Sequence, residues 1–283
     1  TGTATYRIAA DLVIDALGRA SRAPAWLEQL GYPSPPMSSC SAQIHYSTQH
    51  FRHRPGGSDG LWALIVGTHP GSPHGVGAIR TENDRWAVTL VRQFGQRPPT
   101  DPEGFSAYAA QLPGGAILDI IRNAEPIGAP TTFTYPKSRW YHYEKMRRRP
   151  QGLIVIGDAV ASFNPIYGQG MTSAALQALA LQELLVRGGP RRLEARAAQA
   201  FAAQIRTPWA LSTGPDRRFP GQPTKSWPER TLDRYLDRLL AAAAHDPVLA
   251  LAFMRVLNLL DTPAGLLRPS VAVRVLAPWR QPG

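Results

Sequence analysis

Two short hydrophobic runs in the chain have the pattern of strands from a parallel sheet. They lie at residues 12–14 and 153–156, and both are continuous rather than alternating. Continuous runs of this length are typical of strands that are covered on both faces. A turn at residues 18–21 and a short helix over residues 24–31 are predicted after the first run. The two runs therefore predict an α/β unit assembled from distant parts of the chain.

Between residues 41 and 94 the pattern changes to an alternation of apolar and polar residues. Such alternation predicts half-buried strands, for example over residues 42–46, 61–66 and 86–91. A hairpin turn is predicted at residues 82–84, and no long helix separates the strands, so the segment is predicted to form an antiparallel sheet. Asp101 is predicted to cap a helix after this sheet. Two helices and one strand are predicted there: residues 102–112, 116–123 and 131–135.

The remainder of the chain has helical periodicity. A long helix is predicted over residues 170–186, with Gly188 as its end. Residues 213–228 are rich in glycine and proline and are predicted to be a linker. Three further helices are predicted: residues 190–206, 228–244 and 246–260.

These elements predict a mixed α/β (α+β) fold. Its regions are a partial α/β unit (residues 1–36 and 150–188), an inserted antiparallel sheet (residues 37–149) and a helical C-terminal tail (residues 189–283).

The composition excludes several classes of protein. A net charge of +11 on 283 residues is not accompanied by a nucleic-acid-binding motif, so no nucleic-acid partner is predicted. Cys40 is the single cysteine, which excludes an internal disulfide and a cysteine-rich metal site and fits a reducing, cytoplasmic location. No apolar run reaches about 18 residues, so no transmembrane helix is predicted.

The stretch from residue 153 to residue 181 carries the most chemical information. Its strand ends at Gly157, where the missing Cβ lets a ligand approach the backbone closely. Asp158 follows at the carboxyl end of the strand, which is where open α/β sheets bind their ligands. A carboxylate at this position can accept hydrogen bonds from sugar or ribitol hydroxyls, but it would repel a phosphate.

The loop after Asp158 leads into the long predicted helix. Pro165 stiffens this loop, and Gly168 and Gly170 let its backbone approach a flat ring system. The free N–H groups of the first helical turn point back at the loop and favour negative charge there. Their effect is worth about 1 kcal/mol, which corresponds to roughly one pKa unit of a bound group.

This arrangement resembles the second FAD-binding motif of flavoproteins with the para-hydroxybenzoate hydroxylase fold, which include relatives of 2-polyprenyl-6-methoxyphenol hydroxylase. The motif is a Gly-Asp after a strand, a proline, a Gly-x-Gly pair and an alanine-rich helix. The resemblance implies a partial Rossmann-like FAD-binding sheet, with Asp158 on the flavin ribitol and the loop facing the pyrimidine edge of the ring. The FAD contacts predicted in this stretch are Gly157, Asp158, Pro165, Gly168, Gln169, Gly170, Met171 and Thr172.

A second stretch, residues 10–21, resembles the middle motif of the same family, in which a strand leads into Asp-Gly-x-x-Ser-x-x-Arg. Gly18 and Ser21 match this motif and are predicted to contact FAD. Leu17 stands where the motif has aspartate, and Pro24 where it has arginine. In the family this segment touches both FAD and the nicotinamide cofactor, so these two departures weaken the expectation of direct NAD(P)H contact.

The family's first motif, a strand followed by Gly-x-Gly-x-x-Gly that holds the FAD pyrophosphate, does not occur in the 283 residues. The nearest match, residues 168–170, lacks the third glycine. Because the chain begins at Thr1, an N-terminal truncation is expected, or a second polypeptide that supplies the missing part. The chain alone is expected to contact the ribitol and ring of FAD but not its ADP part.

The resemblance implies an FAD-dependent, NAD(P)H-driven monooxygenase that hydroxylates a small organic molecule, aromatic or lipophilic. In this chemistry the flavin is the reactive group, so no catalytic acid or base is predicted among the side chains. Two alternatives stay open: a flavin-dependent reductase of the same fold that acts on prenyl-chain double bonds, and a non-catalytic, truncated remnant. The sequence does not predict the oligomeric state.

Four weaker patterns each allow a second interpretation. Residues 56–60 fit the Gly-x-Ser-x-Gly elbow of hydrolases, but they lack the flanking strand and helix and are predicted to be a surface loop. The neighbouring histidines 45, 50 and 53 lack a carboxylate partner, so no metal site is predicted.

Residues 249–260 and 266–276 are expected to pack in a helical bundle, with peripheral membrane contact as the alternative. Core positions are favoured over an aromatic pocket for Trp62, Trp86, Phe133 and Tyr135.

Overall fold

The computed structural model describes residues 7–54, 60–113, 115–187, 189 and 191–277. These residues form eight strands: β1 (Val13–Asp15), β2 (Met37–Arg52), β3 (Ala63–Val66), β4 (His74–Thr81), β5 (Arg85–Gln93), β6 (Glu125–Tyr141), β7 (Leu153–Val155) and β8 (Ala161–Ser162). They also form eight α-helices: α1 (Ala23–Gln29), α2 (Pro102–Ala110), α3 (Ala116–Arg122), α4 (Gln169–Arg187), α5 (Leu193–Asp216), α6 (Trp227–Ala243), α7 (Pro247–Leu257) and α8 (Pro269–Leu276).

The two runs predicted to be strands form β1 and β7, which pair in parallel with Ile14 opposite Ile154. The expectation that both faces of β1 are covered is wrong, because Val13 and Ile14 are 51% and 45% exposed. Among the described residues, each of the two strands has a single neighbour, so β1 lacks the partners that would cover such a run. Asp15 is the buried residue of β1.

The antiparallel sheet predicted for the middle of the chain has six strands in the order β3-β4-β5-β2-β6-β8. Its two longest strands, β2 and β6, are antiparallel neighbours. The predicted hairpin turn joins β4 to β5, where Asn83 and Asp84 have φ angles of 60° and 50°. Asparagine and aspartate tolerate this left-handed backbone better than other non-glycine residues. At the far edge β8 pairs with β6 and joins the sheet to the segment that follows β7.

Helices α2 and α3 cover one face of this sheet. Trp86 and Leu90 of β5 are fully buried there and share a core with Phe105 of α2. Full burial of side chains of this size stabilises the fold by about 1.5–3 kcal/mol each. The predicted cap of α2 is confirmed, because the Asp101 carboxylate accepts a hydrogen bond of 2.7 Å from the backbone N–H of Gly104.

The predicted linker over residues 213–228 begins too early in the chain. Helix α5 continues to Asp216 and contains both Pro208 and Pro215. Thr213 and Asp216 are buried at its C-terminal end. Tertiary contacts there outweigh the local helix-breaking signal of glycine and proline.

Helices α6, α7 and α8 pack on one another, as favoured for the apolar C-terminal stretches. Their shared core consists of Leu239, Leu249, Val256, Leu266, Val271 and Val275, together with Ala242. Across the described ranges, no helix has the length and hydropathy that crossing a membrane requires.

Candidate functional site

A groove of about 800 Å³ lies where the carboxyl ends of β1 and β7 meet strand β6. This volume is within the usual range of small-molecule sites, about 300–1,000 Å³. Seven of the ten predicted contact residues line it: Gly18, Gly157, Asp158, Pro165, Gly168, Gly170 and Met171. The structure thus brings residues from both sequence motifs to one opening.

Gly157 connects β7 to the groove in a conformation that needs glycine. Its φ angle is 70°, a left-handed value that costs other residues about 1–2 kcal/mol. Its backbone N–H donates a hydrogen bond of 2.9 Å to the side-chain oxygen of Gln177 on α4. A Cβ added at Gly157 would lie 3.7 Å from that of Ala174, which also lines the groove. The small residues keep this end of the groove open.

The Asp158 carboxylate lies at the mouth of the groove. No hydrogen bond to this carboxylate comes from the part of the chain that the structure describes, and the side chain is exposed. Partial desolvation raises the pKa of Asp158, and the positive charge of Arg19 lowers it part of the way back. Since its lone pairs are free of protein donors, the carboxylate can accept hydrogen bonds from a ligand's hydroxyl groups.

The loop between β8 and α4 forms one wall of the groove. Residues Pro165–Tyr167 make a single 3-10 turn, and Asn164 begins it by accepting a hydrogen bond of 3.2 Å from the Ile166 N–H. Gly168 ends the turn at a φ of 66°, and α4 starts at the next residue. The first turn of α4 therefore lies at the groove, where its free N–H groups favour an electron-rich ligand edge.

Three predicted contact residues do not line the groove. The Ser21 hydroxyl donates a hydrogen bond of 2.5 Å to Asp15, and the side-chain amide of Gln169 donates one of 2.9 Å to the carbonyl of Leu257. The side chain of Thr172 is exposed on α4. A role for these three residues in cofactor contact stays a prediction.

Arg19 is a groove residue that the sequence analysis missed. Its guanidinium lies 4.3 Å from the ring centroid of Tyr135. It also donates hydrogen bonds of 2.8 Å to the Lys137 carbonyl and to the Ser162 hydroxyl, which joins the turn after β1 to β6 and β8. The residue stands between Gly18 and Ser21 of the second motif, and its charge in that turn was the available signal.

The four aromatic residues singled out from the sequence divide between core and groove. Trp86 is fully buried in the core, as favoured, whereas Trp62 is 76% exposed. Phe133 and Tyr135 both line the groove, although only Tyr135 is buried. Adjacent β6 positions on the same face are two residues apart, which is why both reach the same opening.

The remaining sequence patterns concern a metal site and a hydrolase elbow. Among the described residues there is no group of three or more histidine, cysteine, aspartate or glutamate side chains that could hold a metal ion. Residues 55–59, which contain most of the Gly-x-Ser-x-Gly pattern, lie outside the described residues.

Sequence comparison relates the chain to a longer protein. No known protein-family profile matches the chain. Protein Rv3254 of Mycobacterium tuberculosis is 36% identical in an alignment of 264 residues that covers 90% of this chain and 55% of Rv3254. The chain therefore spans about half the length of this relative.

Two solved structures resemble the chain over most of its length. A flavoprotein/dehydrogenase from Cytophaga hutchinsonii superposes with a TM-score of 0.58 at 18% identity, covering 92% of this chain and 58% of the flavoprotein. Klebsiella pneumoniae HpxO, in a variant complexed with FAD, gives a TM-score of 0.51 at 17% identity and covers 74% of this chain and 51% of HpxO. The chain shares its fold with these proteins. The predicted fold class is confirmed.

Proposed function

We propose that this chain contains the ribitol- and ring-binding part of an FAD-dependent oxidoreductase, and that the oxidoreductase is an NAD(P)H-driven monooxygenase. One observation carries the proposal: the Asp158 carboxylate, which accepts no hydrogen bond from the described residues, lines a groove together with the glycine-rich start of α4. The fold shared with a flavoprotein and with an FAD complex supports the choice of flavin as the ligand.

The groove's chemistry matches the two ends of a riboflavin moiety. Ribitol hydroxyls are hydrogen-bond donors, which suit Asp158. The pyrimidine edge of the ring accumulates negative charge on reduction, which suits the free N–H groups at the start of α4. Gly168 and Gly170 let the backbone approach a flat ring, since neither carries a side chain. When bound, the flavin supplies the redox chemistry, and the protein orients it and excludes water.

The organic substrate is proposed to be aromatic or lipophilic. Phe133 and Tyr135 of β6 form part of the groove wall, and Phe163 and Ile156 extend the apolar surface. Aromatic walls of this kind bind flat, apolar molecules by stacking and burial. Tyr135 is buried in this wall, and burial raises the pKa of its phenol.

Titration with riboflavin, FMN and FAD tests the flavin part of the proposal. We expect riboflavin fluorescence to be quenched on binding to the chain. Ala174→Leu, which places a larger side chain in the groove, is expected to weaken riboflavin binding at least tenfold, about 1.4 kcal/mol. Ala175→Leu is the matched control, because Ala175 is exposed on the same helix and does not line the groove. Equal binding by the two variants, or no binding of any flavin to the parent chain, would contradict the proposal.

Oxygen consumption tests the monooxygenase part. In the flavin-loaded protein supplied with NADH or NADPH, a monooxygenase consumes oxygen in step with the loss of an aromatic substrate. A reductase of prenyl-chain double bonds would convert its substrate without that coupling. A stoichiometry near one oxygen per product is the expected result, and substrate conversion under strict exclusion of oxygen would overturn it.

A further inference from the structure

A buried polar cluster lies behind the loop that forms the groove wall, on the side away from the groove. Its centre is the carboxylate of Asp216, the last residue of α5, which is fully buried. This residue belongs to neither sequence motif. Its partners come from the 3-10 turn after β8 and from the end of β5.

Three side chains donate hydrogen bonds to Asp216. Gln93 donates one of 2.6 Å, the Tyr167 hydroxyl one of 2.8 Å, and the Asn164 amide lies 3.0 and 3.2 Å from the two carboxylate oxygens. The Gln93 oxygen in turn accepts a hydrogen bond of 2.7 Å from Thr68. Asp216 therefore joins the antiparallel sheet, α5 and the loop at one point.

Two of the three donors lie in the loop itself. Asn164 is fully buried, and besides contacting Asp216 it accepts the Ile166 N–H and donates its own N–H to the Ser138 hydroxyl at 3.0 Å. Tyr167 immediately precedes Gly168, whose backbone lines the groove. A shift of either donor would move the groove wall, because Asn164 immediately precedes Pro165 and Tyr167 immediately precedes Gly168, and both of these neighbours line the groove.

Burying a carboxylate carries a desolvation free-energy cost, even where it holds a loop in place. Desolvation raises the pKa of Asp216 to about 6, although the hydrogen bonds from Tyr167, Gln93 and Asn164 lower it in part. Replacing such a group by a well-packed apolar residue is often neutral or stabilising in proteins. A role in fixing the position of the loop explains why the charge is present.

We propose that Asp216 is a positioning residue whose ionised carboxylate holds residues 164–168 in the conformation that forms the flavin-facing wall of the groove. The ionised form accepts all three donors, whereas protonation turns one acceptor oxygen into a donor that faces other donors. The part of the inference that concerns flavin rests on the proposed function. The part that concerns the loop does not.

The first test compares Asp216→Asn with Asp237→Asn. Asp237 is the matched control because it forms an exposed ion pair with Arg218 on the surface. Hydrogen exchange of the amides of residues 166–168 is measured without flavin. We expect Asp216→Asn to speed their exchange at least tenfold while Asp237→Asn leaves it unchanged. Unchanged exchange in Asp216→Asn would overturn the inference, whether or not the chain binds flavin.

The second test uses riboflavin affinity and its pH dependence. Asp216→Asn is expected to weaken binding about tenfold at pH 8, in line with the loss of a charge-assisted hydrogen bond. In the parent chain the affinity is expected to fall on acidification with a midpoint near pH 6, and in Asp216→Asn this step is absent. A purely structural role would not produce such a step. Among the described residues, the other titratable groups near this cluster are Cys40, Tyr46, Tyr167, Arg217 and Lys225.

Tyr167→Phe keeps the test decisive if Asp216→Asn fails to fold. This variant removes one donor and leaves the carboxylate in place, so a smaller loss of affinity and a smaller rise in exchange are expected. If the parent chain binds riboflavin and Tyr167→Phe matches it in both measurements, the inference is overturned. If the parent chain binds no flavin, the proposed function fails, and the exchange measurement still decides the role of Asp216.

Discussion

Two aspartates on opposite sides of one loop differ in their burial and in their hydrogen bonds. Asp158 is exposed to the groove and accepts no hydrogen bond from the described residues, whereas Asp216 is fully buried and accepts hydrogen bonds from three side chains. Desolvation raises the pKa of both carboxyl groups. The difference lies in the donors: those of Asp216 come from the protein, whereas Asp158 has none among the described residues, and we propose that a ligand supplies them.

Replacing Asp216 and replacing Asp158 are expected to differ most in their effect on the free energy of unfolding. Asp216→Ala leaves the buried donors of Gln93, Asn164 and Tyr167 without an acceptor, which should lower the free energy of unfolding by about 3–5 kcal/mol. Asp158→Ala removes an exposed group and should change it by less than about 0.5 kcal/mol. Urea denaturation at pH 7.5 measures both values. Similar losses in the two variants would remove the distinction.

The pH dependence of stability gives the next largest effect. The pKa of Asp216 is about 6 in the folded protein and 3.8 in the reference state. Between those values the folded protein binds more protons than the unfolded chain, so the free energy of unfolding falls as the pH rises from about 4 to about 6. The expected loss is about 3 kcal/mol, since each pKa unit is worth 1.36 kcal/mol.

Denaturation curves at a series of pH values check this dependence. Asp216→Asn should remove the fall that is specific to this group, and Asp237→Asn should retain it. An unaltered pH dependence in Asp216→Asn would show that other groups control acid stability.

Replacing Asp158 is expected to change the affinity for flavin more than it changes the folding stability. Asp158→Asn keeps the shape of the side chain but removes its charge, and we expect the Kd for riboflavin to rise about tenfold. The unfolding midpoint in urea should stay within error of the parent chain. A variant that binds riboflavin normally would show that Asp158 does not contact the ligand.

The smallest effect is expected at Arg19, which influences Asp158 through its charge. Arg19→Gln removes the stacking on Tyr135, worth about 0.5–1 kcal/mol, and also the charge that lowers the pKa of Asp158. The pKa of Asp158 should therefore rise further, as measured by NMR titration of its carboxyl carbon. Arg206→Gln, on the exposed face of α5, is the control and should leave that pKa unchanged.

Local sequence signals account for the parts of the fold and site that were predicted. The cap at Asp101, the hairpin turn at Asn83 and Asp84, and the short strands β1 and β7 each follow from a few adjacent residues. Gly157 and the loop after it were predicted for the same reason, because strand, turn glycines and helix start are contiguous. Most of the groove wall on this side comes from that single stretch.

The features that were missed depend on residues far apart in the chain. Asp216 is 123 residues from Gln93 and 49 from Tyr167, and it lay in a segment that was predicted to be a linker. Arg19 reaches Ser162 across 143 residues. No local periodicity encodes such contacts, because they depend on how β6, α5 and the turn after β1 pack together. The exposure of β1 was missed for the same reason, since a strand's burial depends on its neighbours.

The reactivity of Cys40 can report on the contact between β2 and α5. Its sulfur is buried 4.0 Å from the Thr213 carbonyl, and burial raises the pKa of the thiol to about 11, so very little thiolate exists at neutral pH. The chain contains no other cysteine. A maleimide or disulfide reagent added to the native protein will therefore react only as fast as the contact between β2 and α5 opens, and its rate of incorporation follows the integrity of that junction.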